Sequence, residues 1–209
     1  MTRKGRIPTS PGTLSVLLAL AAVSAASPLD ALVARLEGAG FLTGSFVQTD
    51  RWALTLEEES SSGTLFMAPP NLFLLDYSDP SGKRTGFDGE VLYTVDPSFR
   101  QVIVYPEGDP ASFAGMLEHF SDTTLVCGVE IEGDSVLVSL SGDLGEGISS
   151  MLVGYTVSDS LPWLFGTTDV NGNSTMYTVG GIETVETAPD GFFEMSVPEG
   201  FELIYSGDI

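Results

Sequence analysis

The chain has 209 residues, and its 29 acidic side chains outnumber its eight lysines and arginines, so its formal net charge is −21. So negative a chain is repelled by nucleic acid and by anionic membrane surfaces, which argues against a role on either. The acidity serves either solubility, including solubility in a salty habitat, or the docking of a partner, and composition leaves both open.

The N-terminal segment, residues 1–26, has the pattern of a signal peptide. Three basic residues precede an apolar stretch over residues 14–23, which is too short to span a bilayer, and small residues follow it. We expect cleavage after Ala25 or Ala26, with an uncleaved anchor or a core helix as the alternative. The mature chain, 27–209, then carries five cations against 29 acids, a net charge of −24. No cysteine lies in residues 20–30 to take a lipid anchor, so we expect a soluble exported protein of a single domain.

A first helix is predicted to begin at Ser27, because serine caps helix N-termini and Pro28 suits the first turn. Glycines at 38 and 40 end it. Its apolar residues recur at i, i+3, i+4 and i+7 and share one face: Leu29, Leu32, Val33 and Leu36. A second helix is predicted to start at Asp109-Pro110, with the same spacing in Phe113, Met116, Leu117 and Phe120.

The remaining apolar runs are short and are separated by turn signals, which predicts strands. Residues 57–62 are predicted as a polar loop, and Asp88-Gly89, Gly133-Asp134 and Asn171-Gly172 predict tight hairpin turns. The predicted strands are 45–56, 63–67, 72–77, 83–87, 90–95, 100–105, 127–132, 135–140, 150–157, 161–170, 174–181, 192–196 and 202–205. This spacing predicts a mainly β fold, a large curved antiparallel sheet or barrel, with the second helix packed on the sheet.

Residues that carry catalysis are scarce. His119 is the only histidine, which excludes multi-histidine metal sites and weakens any Ser/His triad. The run from Asp169 to Asn173 is similar to the start of a calcium loop, but its twelfth position is Gly180, so a hairpin turn is favoured. Cys127 is the only cysteine and is predicted as a small buried apolar side chain. We predict no enzyme, no metal and no cofactor, although the sequence leaves a carboxylate acid–base pair open.

Several segments together resemble the LolA family of periplasmic lipoprotein carriers. GSFVQT at 44–49 is similar to the family's first-strand motif, and GTLFMAPPNLFLLDY at 63–77 to its G-x-L strand, Pro-Asn break and aromatic strand. FDGEVLYTVDP at 87–97 is similar to its Asp-Gly hairpin, and residues 161–204 match more loosely, with FFEMSVPEGFELI similar to the family's ending. The resemblance implies an incomplete antiparallel β-barrel of about 11 strands, closed by α-helices around an apolar cavity.

By the same resemblance, the chain is expected to be a monomeric periplasmic chaperone that binds acyl chains of lipoproteins and moves lipoproteins from the inner to the outer membrane. The implied partners are acylated lipoproteins, an inner-membrane ABC-type exporter and an outer-membrane acceptor. A lipid- or apolar-ligand-binding module without lipoprotein transport is the alternative, and an enzyme on this fold stays open because fold does not fix function. The candidate cavity-lining residues, each of which could instead be plain core, are Leu32, Leu36, Phe46, Leu65, Phe73, Leu75, Tyr77, Leu92, Tyr93, Phe113, Met116, Leu117 and Phe120.

The chain departs from the family pattern at Pro69. In the family that this chain resembles, an arginine stands just before the Pro-Asn break and helps to hold the lid closed. Proline cannot donate those hydrogen bonds, so the latch of this protein must use another group or a different gating. Phe73 is similar to a family aromatic residue near the mouth of the cavity.

Overall fold

The computed structural model describes residues 27–68, 71–105, 119–145, 147–185 and 187–206. Within these ranges the chain forms one α-helix and a 12-stranded sheet. The helix, α1, is Asp30–Glu37, and two 3-10 turns lie at His119–Ser121 and Thr123–Leu125. The strands β1 to β12 are Phe41–Arg51, Glu58–Ala68, Leu72–Asp79, Arg84–Phe87, Leu92–Asp96, Gln101–Tyr105, Val126–Glu132, Ser135–Leu140, Ile148–Thr156, Pro162–Asp169, Ser174–Val185 and Glu202–Tyr205.

The strands form a single open sheet in the order β12-β6-β5-β4-β3-β2-β1-β11-β10-β9-β8-β7. Pairing of β1 with β11, from Phe41 opposite Val185 to Arg51 opposite Ser174, joins the two halves of the chain. The mainly β prediction is confirmed, but β7 and β12 end the sheet without closing it over the described residues. The wholly antiparallel prediction is wrong at β12, which pairs in parallel with β6 because the chain crosses the sheet before reaching that edge.

The helix α1 begins at Asp30 with Leu29 at its N-cap, whereas the prediction placed Ser27 at the N-cap and Pro28 at the first helical position. The Ser27 backbone N–H donates to Asp30 Oδ2 at 2.8 Å, and Ser27 Oγ accepts the Leu29 N–H at 3.2 Å. These reciprocal bonds lie one turn ahead of the helix and fix how the chain enters it. Leu29 and Leu32 are fully buried, so the predicted apolar face of the helix is confirmed.

Apolar side chains alternate between the two faces of the sheet, because successive side chains of a strand point in opposite directions. One face, here called the α1 face, carries the larger cluster and packs against α1; Phe73 and Leu75 lie on it. The other, here called the C-terminal face, carries a smaller cluster covered by residues 187–201; Leu74 lies on it. The sheet is therefore covered on both faces over β1 to β5.

The C-terminal face is held by aromatic packing. Phe41 stacks on Phe66 with ring centroids 5.9 Å apart, and it meets Phe192 and Phe193 edge-on at 5.4 and 6.0 Å. The Tyr93 hydroxyl donates to the Phe193 carbonyl at 3.0 Å. Burial raises the pKa of Tyr93 to about 12, so its phenol stays protonated and keeps this bond at neutral pH.

The predicted strand 192–196 is wrong, because this segment turns. The Phe192 N–H donates to the Pro189 carbonyl and the Glu194 N–H to the Gly191 carbonyl, both at 3.1 Å. Because of this turn, Phe192 and Phe193 both contact Phe41. In a strand, two adjacent side chains would point to opposite faces of the sheet.

The first hairpin also differs from prediction. β1 spans Phe41–Arg51, so the predicted strand 45–56 begins and ends too late, and because β2 begins at Glu58 the predicted loop 57–62 is mostly strand. The ladder pairs Arg51 with Glu58 and Asp50 with Glu59, and this pairing extends β2 into the polar run. Cys127 is exposed on the end strand β7, so its predicted burial is wrong. The three predicted hairpins are confirmed, but only Gly133-Asp134 is a two-residue turn; the connections at Asp88-Gly89 and Asn171-Gly172 span residues 88–91 and 170–173. No helix in the described ranges has the length and apolarity to cross a membrane.

Candidate apolar binding site on the α1 face

The structure brings together most of the residues predicted to line a cavity. Nine of them belong to the α1-face cluster or pack against it: Leu32, Leu36, Phe46, Leu65, Phe73, Leu75, Tyr77, Leu92 and Phe120. Tyr93 lies instead on the C-terminal face. Phe113, Met116 and Leu117, and also Pro69, lie outside the described residues.

The interior of the α1 face is tightly packed. Phe46, Leu65, Phe73 and Leu75 expose 2% of their surface or less. Phe46 meets the ring of Tyr77 edge-on at 5.0 Å. The second half of the sheet completes the same cluster with side chains that the lining prediction did not include: Val136, Val138, Leu140, Val153, Tyr155, Phe165 and Val179. Alternation of apolar residues along β8 and β9 was the available signal for them.

Short elements cover this interior among the described residues. Leu29 just before α1 and Leu32 on it form the first cover, and the two 3-10 turns contribute Phe120 and Leu125, with Phe120 stacked on Phe165 at 6.0 Å. Few side-chain hydrogen bonds hold α1 and the residues just before it against the sheet. The Tyr155 hydroxyl donates to the Pro28 carbonyl, and the Arg35 guanidinium donates to Thr184 Oγ1 at 3.4 Å.

A polar network lies beside the apolar cluster, where β1 runs toward the first hairpin. The Tyr77 hydroxyl donates to Gln48 Oε1 at 2.6 Å, and Gln48 Nε2 donates to Asp50 Oδ2 at 2.6 Å. Thr175 Oγ1 donates to the other oxygen of Asp50 at 2.6 Å, and Lys83 Nζ lies 4.6 Å from the Tyr77 ring centroid. Burial raises the pKa of Tyr77 above its usual value, so the phenol acts as a neutral donor rather than a base. Sequence reasoning missed this network, because Tyr77 on β3 and Thr175 on β11 reach Gln48 and Asp50 on β1 only when these strands assemble in the sheet.

The described residues offer polar groups for structure rather than for chemistry. No three histidine, cysteine or carboxylate side chains within them are placed to hold a metal ion. The Asp169 carboxylate accepts the N–H groups of Asn171 and Asn173 at 2.8 and 2.9 Å and the Asn173 side-chain amide at 2.7 Å, which confirms the hairpin turn. The α1 face is therefore an apolar interior with a hydrogen-bonded polar network at its side.

Comparison with known proteins gives a consistent family. The family model described as outer membrane lipoprotein carrier protein LolA matches residues 37–196. The outer-membrane lipoprotein carrier protein of Pasteurella multocida (strain Pm70) is 25% identical over 197 residues, which cover 91% of this chain and 93% of that relative.

A solved structure also shares the fold. An uncharacterized conserved protein from Thermus thermophilus has a TM-score of 0.52 at 11% identity, over 83% of this chain and 96% of that one. That likeness concerns the fold alone. Because the family model covers well over half of the chain, the protein belongs to the LolA family of outer membrane lipoprotein carrier proteins.

Proposed function

We propose that this protein is a periplasmic carrier that binds the acyl chains of lipoproteins on its α1 face and moves lipoproteins from the inner to the outer membrane. It would receive them from an ABC-type exporter of the inner membrane and pass them to an acceptor at the outer membrane. One observation carries the proposal: in a chain of this family, nine apolar side chains expected to line a cavity share a single cluster on one face. Residues 1–26 would direct export as a cleaved signal peptide.

The energetics of acyl chains explain why a carrier is needed. Each buried methylene is worth about 0.8 kcal/mol, so an acyl chain of roughly fifteen carbons resists water by on the order of 12 kcal/mol. A lipoprotein carries more than one such chain, and it would rarely leave a membrane unaided. The carrier must present apolar surface to the cargo and must hide that surface when empty, since a lasting exposed patch would aggregate.

The α1 face meets both requirements if its cover can move. Twelve strands about 4.8 Å apart would span roughly 50 Å when flat, whereas a helix of eight residues is about 12 Å long. Leu92 on β5 and Val138 on β8 nonetheless share one buried cluster. We infer that the sheet curls around the cluster, and that displacement of α1 and Phe120 would open it to an acyl chain.

By the family resemblance, a second helix predicted around Phe113, Met116 and Leu117 would complete this cover and close the incomplete barrel. That segment lies outside the described residues. Of its described neighbours, Tyr105 packs against the α1-face cluster and Phe120 lies within it.

Release of lipoprotein from inner-membrane vesicles tests the proposal. The mature protein is added to energised vesicles that hold the exporter and an acylated lipoprotein with labelled palmitate, and label in the soluble fraction is measured. We expect release in proportion to added carrier. Leu36→Glu, which puts a charge at the partly buried edge of the α1 cluster, should reduce release, whereas Leu203→Glu on the exposed end strand β12 should not.

Circular dichroism establishes that both variants are folded. Folded protein that releases no label would contradict the carrier role. If native mass spectrometry of that protein then shows fatty acid or phospholipid but never lipoprotein, the α1 face serves an apolar-ligand-binding module instead.

A further inference from the structure

The tip of the first hairpin, residues 52–59, presents apolar side chains to solvent away from the α1 face. Leu54 is 95% exposed, Leu56 is 70% exposed and Trp52 is 39% exposed. Three large apolar side chains within five residues are more than the single exposed residues that any surface carries. Such a cluster of exposed apolar side chains is typical of a binding surface.

The hairpin tip is an ordered turn. The Leu56 N–H donates to the Trp52 carbonyl at 2.8 Å, and the Trp52 N–H donates to the Glu57 carbonyl at 3.0 Å. The Ala53 N–H donates to Asn173 Oδ1 at 3.0 Å, which ties the tip to the β10–β11 turn. Leu56 also has φ +59°, a left-handed conformation that glycine adopts far more readily than leucine. The fold thus keeps a large apolar side chain at a position where glycine would be easier.

An open cleft of about 840 Å³ lies between the hairpin tip and the β10–β11 turn. Its lining combines apolar side chains with carboxylates and amides: Trp52, Leu54, Thr55, Glu57, Glu58, Glu59, Asn171 and Asn173. Clefts of this size are typical of binding sites, and this one has room for several side chains of a partner.

The negative charge of the cleft indicates what kind of partner could bind there. Three consecutive glutamates line it, and Arg51, the cross-strand neighbour of Glu58, offsets only one of them. The mature chain as a whole has five cations against 29 acids. An anionic membrane surface would be repelled, whereas a peptide that carries lysine or arginine between apolar side chains matches both the leucines and the glutamates.

We propose that the hairpin tip is the docking site for a segment of a partner protein in which apolar and basic side chains alternate. Leu54 and Leu56 would be its apolar anchors, and Glu57, Glu58 and Glu59 would select the basic side chains. This site is separate from the α1 face, so it stands or falls independently of the carrier role.

Fluorescence of Trp52 provides the test. The Trp163→Phe variant leaves Trp52 as the single tryptophan, and it is expected to fold because Trp163 Nε1 is buried without a hydrogen-bond partner in the described part of the chain. The probes are a short synthetic peptide of alternating leucine and lysine, its leucine–glutamate counterpart, and vesicles of phosphatidylglycerol. We expect saturable binding of the lysine peptide alone, weakened by salt.

A second acidic and apolar patch supplies the matched control. Val129 and Ile131 on β7 are 45% and 70% exposed and lie beside Glu130 and Glu132. In the Trp163→Phe background, Leu54→Ser with Leu56→Ser should weaken binding by about tenfold or more, because two anchors are lost. Val129→Ser with Ile131→Ser should leave binding within about twofold, because neither residue lines the cleft.

Three results would overturn the proposal. Equal binding of the lysine and glutamate peptides would remove the charge argument, and an equal loss in both double-serine variants would show non-specific attraction to an acidic protein. A response of Trp52 to the vesicles but not to the lysine peptide would assign the tip to a membrane surface. Thermal unfolding of each variant establishes that a lost signal is not lost structure.

Discussion

The two faces of the sheet are both buried, yet they are covered in different ways. The α1 face is covered by short pieces with few polar ties, among them α1 and Phe120. The C-terminal face is covered by residues 187–201, which continue into β12 and pair with β6. A tyrosine hydroxyl bonds this cover directly, from Tyr93 to the Phe193 carbonyl.

The difference is one of attachment: the first cover is held mainly by side-chain packing, whereas the second continues into a paired strand. Displacing α1 breaks packing and a few side-chain bonds, whereas displacing the C-terminal segment also breaks backbone pairing at the edge of the sheet. Both faces are equally buried, but we expect only the α1 face to exchange its contents, as the proposed carrier role requires.

The largest effect is expected from Phe165→Ala on the α1 face. Phe165 is fully buried and stacks on Phe120, so its truncation should lower the free energy of unfolding by about 3–5 kcal/mol. Phe192→Ala on the C-terminal face removes a partly exposed ring and should cost less, about 1–2 kcal/mol. Urea unfolding measures both, and the reverse order would contradict the assignment of the main core.

Ligand rescue should distinguish the faces more sharply. A palmitoylated peptide at a hundred times its dissociation constant should stabilise the Phe165→Ala variant by about 2.7 kcal/mol, since it binds the folded state and refills the space left by the ring. Phe193→Ala truncates a buried ring of the C-terminal face, and its deficit relative to wild type should remain at every peptide concentration. Thermal unfolding with and without the peptide gives the comparison. If the peptide removed the stability deficit of Phe193→Ala, the ligand would bind on the C-terminal face, contrary to the proposal.

The bond that fixes the C-terminal cover should make a smaller contribution. Tyr93→Phe removes the donor to the Phe193 carbonyl and leaves that carbonyl buried, which should cost about 1–2 kcal/mol. Lipoprotein release should be unchanged, because the α1 face is untouched. A folded Tyr93→Phe variant that no longer releases lipoprotein would show that the two faces are coupled.

Alkaline pH should loosen the same cover. Burial raises the pKa of Tyr93 to about 12 from its usual value of 10.0. The unfolded chain therefore loses its phenol proton first, so this contribution to stability is complete below pH 10 and declines as pH rises toward 12. Stability measured from about pH 9 upward should fall less steeply in Tyr93→Phe than in wild type, and parallel slopes would contradict a buried phenol at this position.

Local sequence patterns predicted correctly some strand boundaries and the turns that short-range hydrogen bonds determine. The bounds of β8 and β12 agree with prediction, and the turn at Asp169 is set by its own carboxylate. The start of β2 could not be predicted, because Glu58 and Glu59 are in a strand only through pairing with β1, and tertiary pairing overrides strand propensity.

The candidate site was predictable as a set of apolar residues but not as a geometry. Leu92 and Tyr93 are adjacent and both buried, and no local pattern indicates which of them points to α1. The answer depends on the C-terminal segment, which brings Phe193 to Tyr93 across a hundred residues. The bond from Thr175 to Asp50 escaped prediction for the same reason, since it forms only when β1 and β11 pair.

Photo-crosslinking of a bound acyl chain tests the distinction between the faces most directly. A lipoprotein with a diazirine on its acyl chain is loaded onto the carrier, irradiated and mapped by mass spectrometry. We predict crosslinks on the α1 face, at residues such as Phe46, Leu65 and Leu75, and none on the C-terminal face at Leu74, Val102 or Phe193. Crosslinks concentrated on the C-terminal face, or a folded carrier that takes up no acyl chain, would contradict the proposed role of the α1 face.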